Sequence, residues 1–122
     1  MVISIKDKEY EVRFGVGFVR ALDAKYFTKG VGGAVFGMGL QVCVPKILTG
    51  DATALADLLY EGMAHNKSRP ALKDIDAYID GAEDIDALFD EVIDELKKQN
   101  ATRKPVEKML ENLEKAEEES EG

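Results

Sequence analysis

Few side chains here are of a kind that does chemistry, and the surroundings of each decide what it can do. The one cysteine, Cys43, lies inside an apolar run, where a thiol behaves as a small core residue rather than a nucleophile. The one histidine, His65, falls at the expected end of a helix beside Asn66. A capping or dipole-facing role suits it there, and a two-histidine metal site is out of reach. Ser68 follows closely, with no motif that would build an oxyanion hole around it. Gly15-x-Gly17 meets Arg20 where a dinucleotide fingerprint requires glycine, and Gly30-x-Gly32 meets Val35. The carboxylates Asp74, Asp76, Asp80, Glu83, Asp84 and Asp86 crowd around Gly81. If Gly81 were the sixth residue of a calcium loop, the third would be Tyr78 and the twelfth Ala87, so the central ligands are missing. The residues therefore predict no enzyme, no cofactor and no metal site.

What remains is surface for protein partners. The 122 residues suffice for one domain and carry a net charge of −8. That sign excludes general nucleic-acid binding, which needs a basic surface. The charge is uneven: residues 1–70 hold nine basic and seven acidic side chains, residues 71–122 seven and seventeen. Between Asp74 and Glu95 there are ten carboxylates and no Lys or Arg. No stretch offers the roughly 20 apolar residues of a membrane span, nor does the alternating N-terminus contain the apolar stretch of an export signal. Cytoplasmic residence is the expectation.

The elements follow from periodicity. Ile3 and Ile5, then Tyr10, Val12 and Phe14, alternate with polar residues and predict a β-hairpin turning at Asp7-Lys8. A lone hairpin is marginal in water, so its apolar face must lie on helices. Helices are predicted over 18–27, over 52–65 behind an Asp51 cap, over 70–80 and over 84–98; over 38–48 helix and strand compete, and Pro45 favours a helix that is short or kinked there. Gly30, Gly32 and Gly33 mark a loop, with Val31, Val35 and Phe36 as a short extended piece beside it. In 84–98 the residues Ile85, Leu88, Phe89, Val92, Ile93 and Leu96 draw one full apolar stripe. The fold class is mainly α, a small helical domain over 1–98 with the N-terminal hairpin packed on it. Residues 99–104 read as a linker and 105–122 as an amphipathic helix running into a mobile acidic tail.

Two stretches carry candidate contact residues. Val106, Met109, Leu110 and Leu113 recur at helical spacing. Such a stripe either packs within the chain or docks on another protein. Phe36, Met38 and Leu40 are either core or contact surface.

In order and spacing, several segments over about residues 3–98 resemble the short tail assembly chaperones of long-tailed phages and prophages of Gram-positive bacteria. They are the opening Ile3-x-Ile5-Lys-Asp-Lys-Glu-Tyr-Glu-Val-Arg-Phe-Gly-Val-Gly-Phe18, Phe36-Gly-Met-Gly-Leu40 on to Pro45, Gly50-Asp-Ala-Thr-Ala-Leu-Ala-Asp57, Asn66-Lys-Ser-Arg-Pro70, Leu88-Phe-Asp-Glu-Val92 and Glu95-Leu96. The resemblance implies a protein without catalytic residues that binds the tape-measure protein and keeps it soluble. It also implies recruitment of the tail-tube protein, through a frameshifted longer form in many relatives, and self-association along the filament. The place of action would be the host cytoplasm, with no copy left in the finished virion. Two other classes fit the composition: an acidic helical adaptor for an unrelated protein, and an acidic mimic of nucleic acid built on the 74–95 run.

Overall fold

The computed structural model describes residues 1–121. Its elements are β1 (Val2–Ile5), β2 (Lys8–Glu11), α1 (Val16–Lys25), β3 (Phe27–Lys29), β4 (Val35–Gly37), α2 (Gly39–Leu48), α3 (Ala52–Gly62), α4 (Leu72–Asp80), α5 (Ile85–Lys98) and α6 (Arg103–Glu121). The protein is mainly α, with an N-terminal hairpin and a second, shorter one.

In the first hairpin Ile3 pairs with Tyr10 and Ile5 with Lys8. The turn is therefore Lys6-Asp7, both with positive φ, one residue earlier than predicted. Alternation could not choose between the two turns. Either register leaves Ile3, Ile5, Tyr10 and Val12 on one face, because the pairing differs by two residues, not one. That face is buried. It meets the C-terminal end of α3 at Gly62, where a Cβ would stand 2.6 Å from Val12. The Arg13 amide donates to the Gly62 carbonyl at 2.8 Å. Asn66 secures the same corner, donating from Nδ2 to the carbonyls of Glu11 and Met63. Arg69 lies 3.7 Å over the Tyr60 ring and donates to its hydroxyl. The 66–70 segment is thus a bracket between hairpin and helices.

Helix α1 buries Phe18 and Leu22 and ends before Tyr26, not at Phe27. The predicted loop with an extended piece is the β3–β4 hairpin, which pairs Thr28 with Phe36 and Lys29 with Val35. Helix α2 runs unbroken through Pro45 rather than stopping there. Pro45 is exposed, so the Gln41 carbonyl that loses its i+4 donor is near solvent, where the loss costs least. Asp51 and Asp84 cap α3 and α5, each side chain accepting from the amide three residues on.

The largest departure from the sequence reading is at the C-terminal end. Residues 99–102 form a packed turn and not a loose linker. Gln99 accepts from the Phe14 amide at 2.7 Å and donates to Glu95 at 3.1 Å. Thr102 is fully buried and donates to the Leu96 carbonyl at 2.6 Å. Helix α6 then packs on α5 and α2, with Val106 at 0% exposure. Its acidic residues continue the helix to Glu121, exposed through Ser120, where the tail was expected to be mobile. Glu, Lys and Ala propagate a helix already nucleated on the core, and Glu111 precedes Lys115 by four. The last residue of that expected tail, Gly122, lies outside the described residues.

Candidate protein-docking surface

The four residues of the α6 stripe do not share one surface. Val106 belongs to the core. Leu110 is half-buried in a polar groove of about 230 Å³ on the α5 side, with Lys97, Glu107, Glu111 and Glu114. Met109 and Leu113 open on the α2 side, where with Gln41, Pro45 and Asn112 they line an apolar groove of about 270 Å³. Met109 is half-buried and Leu113 is 40% exposed.

The second candidate stretch is also divided. Leu40 is buried, so of its two alternatives it takes core and not contact surface: Gly39 draws the start of α2 against Leu22 so closely that a Cβ there would lie 2.5 Å from the Leu22 Cβ. Met38 is half-buried at the base of the second hairpin, its amide donating to the Tyr26 carbonyl at 2.7 Å. Phe36 is exposed on β4. Sequence reasoning missed Gln41, Pro45 and Asn112 as groove walls, and it missed Phe27 and Val31 as exposed neighbours of Phe36. Gly30 and Gly32-Gly33 between two short apolar runs were the hairpin signal.

The residues first tested for chemistry take structural places. Cys43 is buried, and burial pushes its thiol up from the ordinary value. The Tyr26 hydroxyl donates to Asp57 at 2.9 Å; burial first, then that carboxylate, raises its pKa well above the usual tyrosine range. His65 and Ser68 sit exposed in the corner after α3. No group of three or more His, Cys, Asp or Glu among the described residues is arranged to hold a metal ion. No described helix is long and apolar enough to cross a membrane.

The groove between α2 and α6 is thus walled mainly by apolar side chains and open to solvent. The family model described as phage tail assembly chaperone protein, TAC, matches residues 2–111. The chain belongs to that family. The matched span takes in both hairpins and α6 as far as Glu111, so Gln41, Pro45 and Met109 of this tail assembly chaperone's groove lie within it and Asn112 and Leu113 just beyond. No curated protein and no solved structure matches the chain.

Proposed function

We propose that this tail assembly chaperone binds the tape-measure protein by seating an apolar helical segment of it against Met109, Leu113 and Pro45. Family membership supports the role, and the groove between α2 and α6 carries the reading of where it acts. A tape-measure protein is a long helical chain whose apolar stripes aggregate while uncovered. A groove walled by one helix face and a proline accepts one such stripe as a helix-in-groove contact. The net charge of −8 favours a dispersed, soluble complex. No bond is made or broken in this role. Recruitment of the tail-tube protein would follow through a longer frameshifted form, and the chaperone would leave before the virion is complete.

The test is coexpression with the tape-measure protein. Wild-type chain is expected to move that protein into the soluble fraction and to purify with it. Leu113→Glu, at an exposed position, is expected to keep the fold and lose most of the rescue. Insoluble tape-measure protein in the presence of the wild-type chain would contradict the role.

A further inference from the structure

We propose that the tape-measure segment seated between α2 and α6 runs on into the neighbouring groove between α2 and α5, where its apolar stripe ends in a Lys or Arg held by Asp86 and Asp90. The inference rests on the docking reading above and adds the second half of the site and the chemistry of its occupant. One flank of α2 walls both grooves. Gln41, Pro45 and Leu48 are exposed and recur at spacings of four and three, so they share that flank. Gln41 and Pro45 line the groove against α6. Leu48, with Ile47 behind it, lines a groove of about 500 Å³ against α5. Gln41 and Leu48 stand roughly 10 Å apart along the helix, so one helical segment of ordinary length meets both grooves.

The α5 wall says what the occupant carries. Asp86, Phe89, Asp90 and Ile93 line the groove at i, i+3, i+4 and i+7 and so form one face of α5. Phe89 and Ile93 are half-buried and carry on the apolar track, while Asp86 and Asp90 stand exposed beside them. Other carboxylates of the acidic run have partners within the chain: Asp74 pairs with Lys6, and Glu95 with the N-terminal ammonium and Lys98. Among the described residues no ion pair engages Asp86 or Asp90. Asp86 lies in the first turn of α5, where a carboxylate suits the helix dipole. Asp90 has no such place, and four residues after Asp86 the two charges repel. A Lys or Arg set between them removes that repulsion and lays its aliphatic stem along Phe89. The groove against α6 has only Gln41 and Asn112 as polar walls, neither of them charged. The two ends of the track therefore differ. The apolar end of the segment belongs at α6 and its basic end at α5, and an acidic helix is turned away.

Capture of coexpressed tape-measure protein on the tagged full chain tests this. Asp90→Lys is expected to retain about tenfold less than wild type. Glu91→Lys makes the same change of charge on the side of α5 that faces Tyr78 and is expected to match wild type. Asp90 and Glu91 are both exposed, and circular dichroism checks that each variant is folded. If Asp90→Lys is not, Asp90→Asn is expected to show a severalfold loss. A photo-crosslinking residue at position 90 then identifies the tape-measure segment by mass spectrometry. That segment is expected to carry a Lys or Arg at the end of an apolar helical stripe, and changing this residue to Glu is expected to restore capture by Asp90→Lys. Equal capture by the Asp90 and Glu91 variants would overturn the proposal, as would a crosslinked segment without a basic residue or a charge swap that restores nothing. Loss of capture in Leu113→Glu with full capture in Asp90→Lys would strike this extension alone. No capture by wild type would strike the docking reading with it.

Discussion

Tyr26 and Asp57, half-buried, meet beside the buried Cys43, and the titration of the phenol and the thiol follows first from burial. Both the phenol and the thiol hold their protons to higher pH in the folded chain than their ordinary values. The unfolded chain therefore releases those protons first as pH rises. Stability is complete below the ordinary values, about 8.5 for the thiol and about 10 for the phenol, and falls above them. Melting followed by circular dichroism is expected to show a declining midpoint from about pH 9 upward. Tyr26→Phe should flatten that decline and lower neutral-pH stability by about 1–2 kcal/mol, because Asp57 loses its donor. Leu113→Glu belongs at the same scale and tests something different. Its side chain is 40% exposed at the open side of the groove, so the melting midpoint should fall by only a few degrees while tape-measure rescue is lost. A large drop in midpoint would make Leu113 a core residue.

At the scale of elements, α6 is the piece whose role is most open to measurement. Truncation after Gln99 removes Thr102 and Val106, both fully buried, and is expected to leave a chain that no longer melts cooperatively. Truncation after Ala116 removes only turns that are exposed through Ser120 and should leave the midpoint within a few degrees. Gly39→Ala probes the junction of the second hairpin with α2. Its new methyl would press on Leu22, with a cost of about 1–3 kcal/mol. The helices α3 and α5 were legible from the sequence because capping aspartates and long stripes agree there. The start of α6 was not. Thr102 and Gln99 look like linker residues in isolation, and it is their hydrogen bonds to Leu96, Phe14 and Glu95 that fasten the turn. The second hairpin was legible as an extended piece only. Its strands are three residues long and wholly exposed, so they carry no buried-face pattern. Two of the five groove residues were legible: Met109 and Leu113 could be read from spacing, whereas Asn112 lies off that stripe and Gln41 and Pro45 belong to a helix that continues through its proline.

The whole molecule is a small core with a net charge of −8 and apolar side chains left open at defined places. The acidic run 74–95 wraps the α4–α5 corner, with Asp74 paired to Lys6 at 2.9 Å and Asp84 spent on its helix cap. At this scale the proposed function rests on where a tape-measure protein would touch. A photo-crosslinking residue placed at position 113, and in a separate variant at position 65, reads that contact in cells making both proteins. The expected result is a crosslinked tape-measure band from position 113 and none from the exposed corner at 65. Equal yields from the two positions, or a band from 65 alone, would contradict docking in the α2–α6 groove.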